Sequence, residues 1–411
     1  MSKKTYLFLA IALVGAGLGL FYSGFSTSDF VAHLDRQLHP VSCSLLPGLT
    51  ETTMLDQGAE GCKVAMFSPY SSFWRDRYWG GVPWSLFAMG LFGFALALAL
   101  WGIVSRKGHH LSVNIGLLAA ALVAVVASLV FFGISVSKLH DMCKTCVGTY
   151  IASAVLALGA ALVFVSSIGD RRRAAAEGET ASGTATLLAI LVVLAEMGVA
   201  SVLPVALFLK DVPDYGKYVT ECGSLQTQED KNQVLIPLGK PVAGGTDAVL
   251  VMDPLCPACS AFHKRILETQ YAAKMNFKLV MLPLDSECNW MMTDSMHPGS
   301  CVLAKAMVCA KDKAGEVLDW SYSNLKDFRP KDKADNPSSR IKEAVVKAFP
   351  QVRDCLDSPD TKIALNKSLN WAVDQSLPVL TPQLYVNGRR LCDEDTDLGL
   401  DYAMGRLLGT K

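Results

Sequence analysis

Five apolar stretches constrain this 411-residue chain more than any other feature. Each approaches or exceeds the roughly 20 residues needed to cross the hydrocarbon of a bilayer. They run from about Tyr6 to Tyr22, Trp84 to Val104, Leu111 to Val136, Val147 to Ile168 and Thr186 to Leu209. Beyond Lys210 no stretch of that length recurs, so the remainder is expected to be water-soluble. The first stretch is longer than the apolar core of a usual cleaved leader, and Ser23-Gly24 makes a weak cleavage site. Both points favour a retained span.

Orientation follows from the basic residues in the short loops. Lys3 and Lys4 precede the first span, Arg106 and Lys107 separate the second and third, and Arg171, Arg172 and Arg173 separate the fourth and fifth. If every span crosses, all three clusters share one side, predicted to be cytoplasmic. The loop 23–83, the mouth of the fourth span and everything after the fifth then share the opposite side, which holds the cysteines. Twelve cysteines are many for a reducing cytosol and suit an oxidising compartment. Basic and acidic residues balance at 38 each, which leaves no basic bias of the kind nucleic-acid binding uses.

In the soluble part, "DAVLVMDPLCPACSAFHKRI" reads as a short strand, a turn and a C-P-A-C that opens a helix. A thiol at a helix start faces unpaired backbone N–H groups and the positive helix end. Cys256 is therefore expected to be acidic and reactive, with Cys259, one turn in, as the shielded resolving thiol. A second strand is expected at Phe277–Leu282 and helical sequence over about 300–374. "LTPQLYVNG" then leads from Thr381-Pro382 into a strand and an Asn-Gly turn. The competing reading of C-P-A-C is half of a zinc site completed by Cys288, His297 and Cys301. The strand–turn–helix setting favours redox chemistry, and Cys288 and Cys301 read as a structural disulfide. The partners of Cys222, Cys309, Cys355 and Cys392 stay open.

This order of elements resembles a DsbA-like thioredoxin fold over about residues 230–411. The resemblance implies a cis peptide bond before Pro382, beside the active-site disulfide, as part of the active-site wall.

The membrane part carries Cys43 and Cys62 in its first long loop and "HDMCKTCVGTY" at the mouth of the fourth span. A Cys143–Cys146 bridge would close a tiny loop and stabilise almost nothing, which argues for redox use. A dithiol at a helix mouth can pass two electrons to a carrier dissolved in the bilayer, such as a quinone. Tyr150 lies one turn below Cys146 on the same helix face; by position alone it reads as an interfacial anchor. Glu196 in the fifth span reads equally as a proton relay or a bundle-facing group. His140 and Asp141 read as tuning Cys143 or capping the interface. His109 and His110 read as solvated loop, and Trp74, Trp79 and Trp84 as an interfacial belt.

Residues 5–165 resemble the vitamin K epoxide reductase family. The resemblance is carried by the loop cysteine pair, Ser68 six residues after Cys62, the C-x-x-C opening a helix, and Tyr150 four residues after Cys146. The eighteen residues between Cys43 and Cys62 exceed the family's usual gap. The resemblance implies Cys43, Cys62, Cys143 and Cys146 as redox residues, with Ser68 and Tyr150 binding a quinone (ubiquinone or menaquinone).

The expected fold is therefore multidomain. A VKOR-like quinone-linked membrane domain spans 1–170, with a four-helix core. A cytoplasmic loop, a fifth linking span and a linker cover 171–229. An α/β thioredoxin-like domain with a helical insertion covers 230–411. The expected activity is that of a quinone-dependent thiol oxidoreductase in a bacterial inner membrane. It would form disulfides in secreted or periplasmic proteins with reduced cysteines and pass electrons to the quinone pool and respiratory chain. The alternatives are a disulfide reductase or isomerase running the relay in reverse, and a receptor or assembly factor with structural disulfides.

Overall fold

The computed structural model describes residues 3–37, 39, 41, 43–45, 60–106, 110–176, 183–219, 221–330, 332 and 335–409. Lys107 and His109 lie outside the described residues, as do 46–59 and 177–182. The chain divides into two units, Met1–Pro213 and Asp214–Lys411.

The first unit holds α1 (Lys3–Ala32), α2 (Glu60–Phe67), β1 (Ser72–Phe73), β2 (Val82–Pro83), α3 (Trp84–Val104), α4 (Leu111–Ile134), α5 (Lys144–Ala176) and α6 (Gly183–Asp211). Helices α1, α3, α4, α5 and α6 are each long and apolar enough to cross a membrane. With no water in lipid, a span must satisfy its backbone polar groups internally, and a helix does so. Two helices outrun their hydropathy. Helix α1 continues past Tyr22, where Ser23 Oγ donates to the Gly19 carbonyl at 2.7 Å and Thr27 Oγ1 to the Ser23 carbonyl at 2.9 Å. Folded back on the backbone, these hydroxyls extend the apolar helix without free polar groups. Helix α5 continues past Ile168 through an Arg- and Ala-rich stretch of good helix formers.

Close backbone approach holds α1 against α5. A Cβ added at Gly15 would collide with the Leu156 backbone, and one at Gly159 with the Ala12 backbone. Lipid offers helices little hydrophobic reason to associate, so small residues that admit close packing carry the contact. Leu9, Leu117 and Leu156 are fully buried at the centre of this bundle, with Phe92 beside them. Helix α6 is the least buried span, with Leu188 and Val199 largely exposed as lipid-facing groups.

The tryptophan belt needs correction. Trp74 and Trp84 are exposed, but Trp79 is 1% exposed, with the Arg36 guanidinium 5.5 Å from its ring centroid. Trp79 lies in the loop closed by the antiparallel β1–β2 ladder, so tertiary packing and not the interface claims it.

The second unit runs β3 (Ile236–Pro237), β4 (Thr246–Met252), α7 (Pro257–Glu268), β5 (Met275–Met281), α8 (Ser300–Ala310), α9 (Ala314–Ser323), α10 (Leu325–Phe328), α11 (Ser338–Ala348), α12 (Pro359–Asp374), β6 (Gln383–Val386), β7 (Arg389–Arg390) and α13 (Leu400–Leu407). The sheet order is β3-β5-β4-β6-β7, with β4 parallel to β5 and antiparallel to β6. Central β4 is buried along Ala248–Met252, as its near-continuous apolar run requires. The Thr381-Pro382 bond is cis, and the helices of 300–374 are inserted between β5 and β6. This is a thioredoxin-like fold with a helical insertion. Cys288 pairs with Cys301, as the sequence reading holds. The open pairings resolve as Cys222–Cys392 and Cys309–Cys355.

Gly159→Val should separate α1 from α5. Overpacking of this kind costs about 1–3 kcal/mol, so the thermal midpoint of the detergent-solubilised protein should drop. Gly133→Val, on α4 with nothing within 4 Å of the added Cβ, should move it little.

Candidate functional site

In the second unit β4 delivers the chain into the turn Asp253-Pro254-Leu255, and Cys256 caps α7 with Pro257 at its first position. Proline suits that position because its missing N–H would have no helical partner there. The Cys259 amide donates to Cys256 Sγ at 3.3 Å, and the same sulfur lies 3.8 Å from the Thr381 carbonyl oxygen of the cis bond. Cys256 is 4% exposed and Cys259 fully buried. The Cys256 thiol is lowered from an ordinary 9.0 to about 6. The hydrogen bond from the Cys259 thiol contributes most; burial opposes it, and the Cys259 amide and the His297 charge assist. Burial foremost pushes the Cys259 thiol well above its ordinary value. One sulfur is thus favoured as a thiolate and the other as a thiol.

Behind this pair lies Asp253, fully buried, which that reading passes over. Its Oδ1 accepts from the Leu255 amide at 2.7 Å and the Ser300 hydroxyl at 2.7 Å. Its Oδ2 accepts from the Leu284 amide at 2.6 Å and stands 2.9 Å from His297 Nδ1. The Asp253 carbonyl accepts from the Cys256 amide at 3.2 Å and the Tyr322 hydroxyl at 3.3 Å. A buried carboxylate costs several kcal/mol unless its oxygens are filled, and here they are. One signal was available in the sequence: Asp253 is the lone acid directly after an apolar strand and three residues before the first cysteine. His297, weighed only as a zinc ligand, turns to Asp253 instead, and Cys288 and Cys301 are bonded to each other.

In the first unit Cys43 and Cys62 form a disulfide, and Cys143 and Cys146 are free thiols. Cys43, Cys62 and Cys143 are buried together with Val41, and Ala65, Met66 and Cys146 pack against them. Cys143 precedes α5 and its Sγ accepts the Cys146 amide at 3.3 Å. Helix α2 carries Cys62 into this cluster. A Cβ at Gly61 would sit 2.6 Å from the Met142 carbonyl oxygen and 2.8 Å from Asp141 Oδ1, so only glycine admits α2 so close to the Cys143 turn. Asp141 also caps that turn by accepting the Met142 amide at 2.8 Å. On the other side His33, buried at the end of α1, lies 3.0 Å from the His39 carbonyl and holds the start of the Cys43 loop.

A cavity of about 410 Å³ opens beside the cluster. Its lining includes Cys62, Cys143, Cys146, Ser68 and Tyr150, among mainly apolar side chains such as Phe131. Ser68 Oγ donates to the Ala65 carbonyl at 2.8 Å, and the Tyr150 ring meets Phe132 edge-on at 6.2 Å. Arg75, absent from the sequence reading, is buried and donates to the Ser68 carbonyl, which fixes that wall. Glu196 lies at a different cavity, with Trp101 and Ser112.

The Cys256 shift has a pH signature. Its folded-state pKa is depressed, so between pH 6 and 9 the unfolded chain binds the extra proton. Stability from this group is full above the unfolded value and lost as pH falls through about 6. The thermal midpoint of the reduced protein should therefore rise across that window relative to Cys256→Ser. A pH-independent difference would contradict the shift.

Residues 10–161 match the family model described as the vitamin K epoxide reductase family. No curated protein matches the chain. Among solved structures the chain is similar to oxidised BdbD from Bacillus subtilis at 18% identity, covering 46% of this chain and 97% of that one, with a TM-score of 0.33. It is similar to the oxidoreductase DsbA from Xylella fastidiosa at 19% identity over 41% and 90%, with a TM-score of 0.31. It is similar to alpha-DsbA1 from Wolbachia pipientis at 12% identity over 43% and 94%, with a TM-score of 0.32. The thioredoxin-like fold itself is read from the sheet order, the cis proline and the helix-capping cysteine. The chain thus carries, over residues 10–161, a domain that matches the vitamin K epoxide reductase family, followed by a thioredoxin-like fold with a helix-capping cysteine pair, a combination that supports thiol–disulfide oxidoreductase chemistry.

Proposed function

We propose that this protein oxidises the thiols of secreted proteins at Cys256–Cys259 and passes the electrons through Cys43, Cys62, Cys143 and Cys146 to a membrane quinone. The observation that carries this reading is the packing of the Cys43–Cys62 disulfide against a free helix-start pair beside an apolar cavity. A static scaffold has no use for a second, unbridged pair at that place. We further propose that 1–170 serve the quinone-linked half, 171–229 the link and 230–411 the substrate-facing half. The reading places the chain in a bacterial cytoplasmic membrane with residues 211–411 outside, from the basic loops.

The chemistry balances in two-electron steps. A substrate thiolate attacks Cys256 Sγ of the oxidised pair; the Cys256–Cys259 bond breaks, and its electron pair leaves on Cys259, which takes a proton. A second substrate thiolate attacks the substrate sulfur of the mixed disulfide, and Cys256 leaves as a thiolate. Pro382, in the cis bond beside Cys256, forms the wall against which the substrate lies. Cys256 then attacks one sulfur of the Cys43–Cys62 disulfide, Cys259 resolves that bond, and the new dithiol reduces Cys143–Cys146 by the same exchange. A bound quinone supplies an acceptor for two electrons and two protons. The cavity suits such a group: apolar side chains would bury a ring, and Ser68 and Tyr150, two of the hydroxyls that line it, would hold its oxygens, Ser68 by turning from the Ala65 carbonyl. The lowered Cys256 thiol supports this direction: a stabilised thiolate favours the reduced pair, which makes the oxidised pair a stronger electron acceptor than an ordinary disulfide.

Purified protein given a reduced peptide and a quinone should reduce the quinone, and Cys146→Ser should abolish that reduction. Cys259→Ser should accumulate a disulfide between Cys256 and Cys43 or Cys62, removed by reductant. Full turnover by Cys146→Ser, with no adduct in Cys259→Ser, would favour a receptor with static disulfides.

A further inference from the structure

The antiparallel packing of α1 on α5 fixes which residues share a depth. Gly15 lies against Leu156 and Gly159 against Ala12, and a Cβ added at Gly148 would strike the Tyr22 ring. Each step along α1 therefore answers a step back along α5. Two turns beyond Tyr22, on the same face, α1 reaches Asp29. Two turns back from Gly148, the chain has passed the start of α5 at Lys144 and reached the Asp141-Met142-Cys143 turn. The register sets Asp29 level with that turn. A second tie runs to α2, which carries Cys62. His33 Nδ1 stands 2.7 Å from the Asp29 carbonyl oxygen, and the His33 ring meets Phe67, the last residue of α2, edge-on at 5.6 Å. Asp29, Cys62, Cys143 and Cys146 accordingly line one cavity.

Helix stability gives no reason for an acid here. Asp29 lies in the last turn of α1, where the negative end of a helix opposes an anion. Among the described residues of the mainly apolar cavity wall it is the only carboxylate. An ionisable side chain that a span turns toward a cavity is a mark of proton and ion paths.

We propose that Asp29 is the proton carrier of this cavity: its carboxylate takes the proton that Cys143 Sγ sheds and surrenders it to a quinone oxygen. This rests on the quinone-linked reading of the first unit and assigns a residue to the proton half of that reaction. Oxidation of the dithiol joins Cys143 Sγ to Cys146 Sγ and releases two electrons and two protons, and a quinone takes up both of each. One proton passes through Asp29, which ends each round ionised, as it began. The other passes to the second oxygen directly from Cys146, one turn further into α5 and on the same wall. The charges around Cys143 agree with this division. The hydrogen bond from the Cys146 thiol is the largest influence on the Cys143 sulfur and favours its thiolate, whereas burial and the Asp29 charge act against it. The carboxylate thus holds the Cys143 proton near the sulfur until the pair is oxidised.

The test uses the full-length protein in detergent. Without quinone, the reduced protein is alkylated as a function of pH and mapped by mass, and trypsin cleavage after Lys144 separates Cys143 from Cys146. A neighbouring negative charge disfavours a thiolate, so Asp29→Asn should move the Cys143 profile to lower pH. An unmoved profile would put the carboxylate out of reach of the sulfur and overturn the proposal. With a reduced peptide and a quinone, Asp29→Asn should slow quinone reduction by about 10²–10⁴-fold, the usual contribution of a general acid–base group, and the Cys143–Cys146 dithiol should accumulate. Asp29→Glu, which keeps the carboxyl, should recover most of the rate. Formate, a diffusible carboxylate, should restore part of it to Asp29→Asn. Wild-type turnover by Asp29→Asn would refute the carrier, and so would a loss that neither Glu nor formate relieves. If Asp29→Asn does not fold, Asp29→Ser carries the same comparisons. Failure of the relay reads differently: wild-type protein that reduces no quinone sinks the quinone-linked reading and the carrier with it, whereas equal turnover by wild type and Asp29→Asn sinks the carrier alone.

Discussion

A sulfur that receives a backbone N–H three residues further on, at 3.3 Å, recurs in both units: Cys143 from Cys146, and Cys256 from Cys259. The first turn of a helix leaves its N–H groups without helical partners and its end partly positive. A sulfur at the cap satisfies one of those donors and is itself favoured as an anion. The x-x spacing follows, because the capping position and the third helical residue are the two that meet there. The second cysteine of each pair then lies one turn into the helix.

The supports of the two pairs differ in kind. In the second unit a buried carboxylate is filled with hydrogen bonds, and Asp253 draws strand, loop and insertion to the Cys256 turn. In the membrane unit the support is steric. Gly61 lets α2 lie against Asp141-Met142, so Cys62 reaches the Cys143 cluster, and Gly15 and Gly159 let α1 and α5 approach backbone to backbone. The first device orders a site through charge, the second through the absence of a side chain.

The amino-acid sequence by itself determined the elements whose cause is local. Hydropathy marked the five spans because lipid admits little besides a helix of sufficient length. Strand, turn and C-P-A-C marked the reactive helix start, Cys256 with Cys259, because capping chemistry acts within four residues. The C-x-x-C at the helix mouth was legible through spacing, whereas Ser68 and Tyr150 became candidates only through the family resemblance, since by position alone Tyr150 reads as an interfacial anchor. Only the tertiary structure decided what joins distant segments. Cys222 meets Cys392 across 170 residues and Cys309 meets Cys355 across 46, and no local pattern encodes which pair forms. Trp79 was drawn from the interface into the core by a loop closure that hydropathy does not register. Asp253 and His297 became partners because the β5–α8 loop folds back on the end of β4, and a carboxylate's meaning depends on which donors reach it once water is excluded.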